Sequence, residues 1–261
     1  MGRLLAALGR RTARWLARVG ALARFSYDSI ASLRTLPGAG RRVAGRVLAN
    51  QVRFTALEGA ALVLLLSGVL SFLVISSAVR QLGQVGATDL IGELMVVVIV
   101  RELGPLLTAL AVAGRSGTAI AAELATNTVM GEVRSLEAMG IDPYHYLVLP
   151  RLFGSMLSVA ILIVVFDVVS LFAGLLAAGA NGMSAERYFG GVLGELTTGD
   201  LALTVVKGLI FGALIGLVPS FQGLSVRGDP TEIPRAVIRG TVGVIALIFV
   251  MAAIFVIAGG G

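Results

Sequence analysis

Five long apolar stretches constrain the fold of this chain more than any other feature of its sequence. A helix needs about 20 apolar residues to cross the hydrocarbon core of a bilayer, and each stretch is at least that long. The stretches cover residues 57–79, 91–125, 152–180, 201–226 and 237–258. We therefore predict an all-α membrane protein in which residues 57–261 form one domain of five transmembrane helices.

The composition supports this fold class and excludes others. Hydrophobic residues make up 57% of the 261 residues and charged residues only 14%, which leaves too little polar surface for a soluble domain. The net charge of +6 does not predict a nucleic acid partner, because residues 1–53 hold eleven arginines against one acidic residue. The chain has no cysteine, which excludes disulfides and thiolate metal sites.

The basic residues also predict the orientation in the membrane. If the N-terminus is cytoplasmic, the cytoplasmic segments hold sixteen of the 21 basic residues, and these segments are 1–56, 126–151 and 227–239. The two segments on the other side hold only Arg80 and Arg187. Since positive charge accumulates in cytoplasmic loops, we expect a cytoplasmic N-terminus and a C-terminus on the opposite side.

Residues 1–56 form a basic region ahead of the first stretch. When its first 24 residues are placed on a helix, leucine and valine fall in one arc and arginine in the opposite arc. This pattern predicts an amphipathic helix in the membrane interface, with Trp15 at the boundary and arginines toward anionic headgroups. The alternative is a soluble helix that packs on a partner.

The second stretch is longer than one membrane crossing requires. As a regular helix, its residues 91–125 run about 50 Å, against a hydrocarbon core of about 30 Å. The helix must tilt, project from the membrane or break. Gly104-Pro105 and Gly114–Gly117 are the expected places for a break.

Arg101 and Glu102 lie inside this stretch, where a charged side chain costs about 2.5–3.5 kcal/mol. Adjacent residues point about 100° apart on a helix, so we do not expect both to face one seam. One interpretation is that they line a polar cavity that receives a substrate headgroup. The other is a structural pair, held across helices by groups such as Asp167 or Lys207. Residue spacing leaves both open.

Small residues indicate close helix packing. Gly208, Gly212 and Gly216 repeat every four residues along one face of the fourth stretch. This face either packs inside one copy of the chain or forms an oligomer interface.

The sequence predicts no catalytic residues and no metal site. It contains no nucleotide-binding G-x-x-x-x-G-K-[ST] loop, and its only histidine is His145. The segment Gly114–Gly117 matches the G-x-S-G of rhomboid-type intramembrane proteases. Under that alternative, His145 must reach Ser116 as its base.

A short amphipathic helix is predicted over residues 131–140, in the loop between the second and third stretches. Glu132, Leu136 and Met139 precede Gly140, which ends the helix, and Asp142-Pro143 stops it. A short cytoplasmic helix in this place is suited to transmit force from a cytosolic partner. The alternative is a simple linker.

Several ordered motifs closely resemble the MlaE (YrbE) permease family, the membrane subunits of ABC transporters that move lipids between bacterial membranes. The similarity covers most of residues 80–225. The motifs are Arg101-Glu102-Leu103-Gly104-Pro105, Ala113-Gly114-Arg115-Ser116-Gly117, Ala121-Ala122-Glu123-Leu124, Glu132 through Met139-Gly140-Ile141-Asp142-Pro143, Pro150-Arg151, Lys207-Gly208 and Phe211-Gly212.

This resemblance implies a phospholipid permease in the bacterial inner membrane, with residues 57–261 as its permease domain and a periplasmic C-terminus. It implies a homodimer and an ABC ATPase subunit that holds ATP and magnesium, so this chain needs no cofactor and is not itself an enzyme. It also implies an outer-side MCE-domain lipid-binding protein and, often, a cytosolic STAS-domain subunit.

The resemblance also implies roles for individual residues. Four residues are expected at the lipid cavity, namely Arg101, Glu102, Arg235 and Arg239. The helix at 131–140 is expected to couple to the ATPase through Glu132, Leu136, Glu137, Met139, Gly140, Asp142 and Pro143. A different class remains as an alternative: an ion-coupled secondary transporter with a proton relay made of Glu102, Asp167 and Lys207.

Overall fold

In a computed structural model, which describes residues 20–29, 31 and 40–259, the chain is helical and its described part contains no strand. Within these described residues, five helices are long and apolar enough to span a membrane, as predicted. The helices are α1 (residues 20–29), α2 (Gly40–Gln84), α3 (Thr88–Val129), α4 (Glu132–Ala138), α5 (Tyr144–Ala180), α6 (Ala185–Glu195), α7 (Thr198–Leu224) and α8 (Ile233–Gly259).

Most of the predicted interfacial helix lies outside the described residues. Of that region, α1 covers residues 20–29, and its Phe25 is buried against Tyr144 and Phe221. The backbone of α2 continues without interruption through residues 56 and 57, where the first span was expected to begin.

The two ends of the bundle differ. Because successive spans alternate in direction, α4 and the turn before α8 lie at one end, which we name the α4 end. The loop before α3 and helix α6 lie at the other, the α6 end. Side-chain contacts confirm that α2 and α5 run parallel: Ser158 Oγ donates to the Val52 carbonyl at 3.3 Å, and Asn181 Nδ2 donates to Ser76 Oγ at 3.5 Å.

The long helix α3 does not break. It widens to π-helical turns at Met95–Leu103 and Ala113–Gly117, so each expected break site marks a wide turn instead. The first wide turn ends directly before Gly104-Pro105. Proline has no N–H to continue the helical ladder, and a wide turn absorbs that mismatch without ending the helix.

The glycine face of α7 packs inside the chain, against α5. A methyl group added at Gly212 would lie 2.4 Å from the Met156 Cα, and one at Gly208 would lie 2.8 Å from the Ala160 Cα. Ser155 Oγ also donates to the Gly212 carbonyl at 2.7 Å. Small residues allow this backbone approach, which lets interhelical hydrogen bonds form. Internal packing is therefore the correct one of the two interpretations.

Helix α6 was not predicted, because it is short and its segment was read as a loop. Ser184 caps it by accepting from the Arg187 N–H at 3.4 Å. The Tyr188 side chain is buried beside Gly174, and its hydroxyl donates to the Leu171 carbonyl at 3.1 Å. Burial raises the pKa of Tyr188, which keeps the hydroxyl as a donor. Helix α6 is thus anchored to α5 at the α6 end.

Candidate substrate site in the membrane

The first wide turn of α3 carries Arg101 and Glu102, and both side chains reach α7. Arg101 Nε lies 2.6 Å from Asp200 Oδ1, and Glu102 Oε1 lies 2.8 Å from Lys207 Nζ. The expectation that two adjacent residues cannot face one seam is therefore wrong. The two partners on α7 are seven residues apart, hence two turns apart on one face, and the long Arg101 side chain bridges the remaining distance.

Proline at position 105 explains why a lysine is needed here. In a regular helix the N–H of residue 105 would bond the Arg101 carbonyl, but Pro105 has no N–H. The Lys207 Nζ donates to that carbonyl at 2.6 Å and to Glu102 at the same time. Lys207 is only 2% exposed, so this ammonium is held by the wide turn and not by water.

The Asp200 carboxylate is fixed by the first turn of α7. Its Oδ2 accepts hydrogen bonds from the Thr197 N–H at 2.9 Å and the Thr197 hydroxyl at 2.8 Å, while Thr197 caps the helix in return. This reciprocal cap aims the acid at Arg101. The sequence Thr197-x-x-Asp200 is typical of such a reciprocal cap, but the sequence analysis did not identify Asp200 as a partner of Arg101.

The two members on α3 remain accessible although both are paired. The side chains of Arg101 and Glu102 are 34% and 38% exposed, whereas those of Asp200 and Lys207 are 8% and 2% exposed. Lys207 lies nine residues from the start of α7, about 14 Å along its axis. The ion pairs thus lie toward the α6 end, each with its α3 member open to a cavity, a second subunit or lipid.

This geometry supports the second interpretation of Arg101 and Glu102, and their partial exposure is compatible with the first. They are a structural set, since each is ion-paired across helices, and Lys207 is one of the partners named in advance. Asp167, the other residue named in advance, is not a partner: its carboxyl lies against Gly104 and makes no ion pair in the described structure. The proposed relay of Glu102, Asp167 and Lys207 is therefore present only as the Glu102–Lys207 pair.

Arg235 and Arg239 lie elsewhere, at the start of α8 and hence at the α4 end. Both are exposed, and Arg239 Nε donates to the Arg235 carbonyl at 3.1 Å. Nearby Asp229 accepts hydrogen bonds from Thr231, which lower the pKa of Asp229, and the positive charge of Arg235 lowers it further. The structure does not bring these arginines together with Arg101 and Glu102.

The predicted short helix exists as α4. Gly131 and Gly140 flank it with φ angles of +81° and +74°, values that glycine adopts freely. Val133 and Leu136 pack toward Ile120, Leu124 and Leu147 of the bundle. The outward-facing members of the predicted coupling set are Glu132, Glu137, Met139, Gly140 and Asp142, while Pro143 is partly covered. Leu136 thus packs toward the bundle and stabilises the position of α4.

A cleft of about 470 Å³ lies between α4 and the ends of α3 and α5. Arg151 is buried in its wall, where it donates to the Leu147 carbonyl and pairs with Glu123 at 2.7 Å. This ion pair joins the end of α3 to the start of α5. These are the two helices that α4 connects along the chain.

The protease alternative finds no support in this arrangement. Ser116 is buried in the second wide turn of α3. His145 lies in the first turn of α5, 3.4 Å from Asp142. Leu147 of the same turn packs against Leu124 of α3. Leu124 lies eight residues from Ser116, about 12 Å along the axis of α3. This exceeds hydrogen-bond reach.

The fold and the site define a five-span helical membrane protein with a paired charge cluster in its membrane domain. The sequence profile of the family described as Permease MlaE matches residues 48–258. The chain belongs to this family, which confirms the resemblance seen in its motifs.

Curated relatives agree with this assignment. A probable ABC transporter permease protein of Rickettsia felis is 28% identical over 83% of this chain and 82% of its own length. The intermembrane phospholipid transport system permease protein MlaE of Haemophilus influenzae is 26% identical over 76% of this chain and 78% of its own length. The chloroplastic protein TRIGALACTOSYLDIACYLGLYCEROL 1 of Arabidopsis thaliana is 30% identical over 68% of this chain, which spans about half (52%) of that longer protein.

Proposed function

We propose that this chain is the permease subunit of an ABC transporter that moves phospholipid, or a related lipid, between the inner and outer membranes. Membership of the Permease MlaE family and the names of the bacterial relatives support the transporter class. The observation that carries the lipid site is the accessible Arg101–Glu102 pair, set among apolar helices. Apolar walls suit acyl chains, and a charged pair suits a zwitterionic or anionic headgroup.

The other parts of the proposal concern assembly. Two copies enclose the cavity, and the α4 end faces the cytoplasm, as the basic residues predict. A separate ATPase holds ATP and magnesium and docks on α4. Its closure tilts the spans and expels lipid. An MCE-domain protein receives lipid at the periplasmic α6 end, and a STAS-domain subunit is a further cytosolic partner. Arg235 and Arg239 meet headgroups at the cytoplasmic side of the membrane.

Replacing Glu102 with Gln tests the headgroup contact. The amide oxygen still accepts a hydrogen bond from Lys207, which also keeps the Arg101 carbonyl as an acceptor, so the hydrogen bonds are kept while the charge is lost. Because Lys207 is buried, the melting temperature of the variant is measured alongside capture to separate a folding defect from a lost headgroup contact. A charge-assisted hydrogen bond is worth about 1.5–3 kcal/mol, so we expect capture of a photoactivatable phospholipid analogue to fall by roughly ten- to a hundredfold.

The matched control is Glu93→Gln, which removes an exposed acid of the same helix that forms no ion pair with a described residue. Capture is measured by mass spectrometry of the purified subunit in nanodiscs. Equal capture by Glu102→Gln and wild type would leave Glu102 with a structural role only.

Changing the outward face of α4 tests the coupling role. In the double variant Glu137→Lys, Met139→Ser, we expect the ATPase to bind roughly tenfold more weakly, a loss of about 1.4 kcal/mol, because an apolar anchor and a charge are removed. Both positions are exposed, so the permease itself should remain folded.

Affinity purification from native membranes, with the ATPase quantified by mass spectrometry, provides the measurement. The control is Glu195→Lys, which reverses an exposed charge on α6 at the opposite end. An undiminished ATPase yield from the α4 variant argues against docking at α4, while the lipid capture test above remains independent of that outcome.

A further inference from the structure

Asp167 is a buried acid without a counter-charge in the middle of α5. The residue is 6% exposed, and its Oδ1 has no hydrogen-bond partner among the described residues. All six aspartates of the chain lie in the described part, and Asp167 alone lacks both solvent exposure and an ion pair. The other five are exposed or ion-paired: Asp28, Asp89, Asp142, Asp200 and Asp229.

The cations within α3 and α7, and the buried Arg151 of α5, are already committed to other acids. On α3, which packs against Asp167, Arg101 pairs with Asp200 and Arg115 pairs with Glu58 of α2. The remaining pairs are Lys207 with Glu102, and Arg151 with Glu123. Buried hydroxyls without a hydrogen-bond partner among the described residues include Thr108 and Ser170, one helical turn from Gly104 and Asp167 respectively. Hydroxyls supply no positive charge.

A notch at Gly104 brings Asp167 against the first wide turn of α3. A methyl group added to Gly104 would lie 2.7 Å from Asp167 Oδ1 and 3.1 Å from the Ile99 carbonyl oxygen, so both oxygens border the same notch. The Ile99 carbonyl accepts the Gly104 N–H that closes the wide turn, and it keeps a second lone pair. Two oxygens that border one notch repel, unless one of them carries a hydrogen that the other can accept.

We propose that Asp167 is a proton-binding site: its carboxyl group holds a proton in the folded protein and donates an O–H hydrogen bond to the Ile99 carbonyl. A neutral acid removes the need for a counter-charge in the membrane. It also ties α5 to the turn that carries Arg101 and Glu102. A metal cation needs several oxygen ligands around it, whereas a proton needs a single acceptor, which suits the close contact at Gly104. This inference goes beyond the proposed function and does not depend on it.

Infrared difference spectroscopy tests the proposal on the full chain in lipid nanodiscs at neutral pH. The spectrum of wild type minus Asp167→Asn should contain the C=O stretching band of a protonated carboxylic acid, which shifts in D₂O. The asparagine amide can donate to the Ile99 carbonyl as the acid does, so we expect the variant to fold with an unchanged melting temperature. The appearance of carboxylate stretching bands in place of the acid band would overturn the proposal.

Asp200→Asn is the matched control, because Asp200 is equally buried, at 6% exposure, but pairs with Arg101. Its difference spectrum should show carboxylate bands. If Asp167→Asn is not recovered, wild type labelled with ¹³C at the aspartate carboxyl should show an isotope-shifted acid band, and its absence would overturn the proposal. Carboxylate bands that depend on sodium in the buffer would identify a bound cation in place of the proton.

Discussion

Replacing Lys207 with Met should destabilise the folded protein by about 3–5 kcal/mol, the cost of removing one partner of a buried ion pair. The loss is large because Lys207 serves two acceptors. Without its ammonium, the Glu102 carboxylate loses its cation and the Arg101 carbonyl, which Pro105 already deprives of a helical donor, loses its hydrogen bond. Methionine keeps the apolar length of the side chain, so packing changes little.

The measurement is the apparent melting temperature of the purified protein in a mild detergent. Arg80→Met is the control, since Arg80 is an exposed cation of α2 and forms no ion pair with a described residue. The double variant Lys207→Met, Glu102→Gln should recover part of the loss, because it removes the stranded charge. If the Lys207→Met variant has the same melting temperature as wild type, the ammonium does not stabilise the wide turn.

The number and the approximate extent of the spans could be predicted from the sequence because hydrocarbon imposes a length and an apolar composition on every crossing. The predicted stretch 201–226 corresponds to Thr198–Leu224, and 152–180 lies within Tyr144–Ala180. The ends differ by a few residues where a helix continues into the interface, since apolarity stops at the membrane boundary and helical hydrogen bonding does not.

Whether α3 breaks, kinks or widens at its glycines was harder to predict. Gly104-Pro105 signals a mismatch in the helical ladder, but a break, a kink and a wide turn all relieve that mismatch. The outcome depends on whether another helix supplies a donor for the freed carbonyl. Lys207 supplies this donor from a position more than a hundred residues further along the chain. The sequence around Gly104-Pro105 therefore does not predict the contact.

The candidate site was predicted in part for the same reason. Arg101 and Glu102 stand out because charge is costly within a span. Their partners depend on how α3 and α7 are arranged, and hydropathy does not fix that arrangement. Asp200 looks from the sequence like a residue at the end of a loop, and only the capping geometry shows that its carboxylate is aimed into the bundle.

Replacing Gly212 with Leu should have the second large effect on the fold, because the Cβ position alone would already lie 2.4 Å from the backbone of Met156. Backbone cannot rotate away as a side chain can, so α5 and α7 must separate. The Ser155 hydrogen bond to the Gly212 carbonyl is then lost as well. We expect the free energy of unfolding to fall by about 3 kcal/mol or more. This loss is larger than usual for an overpacked core, because two helices must move apart.

Gly179→Leu is the matched control for this substitution. Gly179 lies in α5, with no atom within 4 Å of an added methyl group, so leucine there projects into open space. The fraction of protein that elutes as a folded species by size-exclusion chromatography, together with its melting temperature, distinguishes the two variants. A Gly212→Leu protein as stable as the Gly179→Leu protein would mean that α5 and α7 do not meet along the glycine face, and the positions of Asp200 and Lys207 relative to α3 would then have to be reassigned.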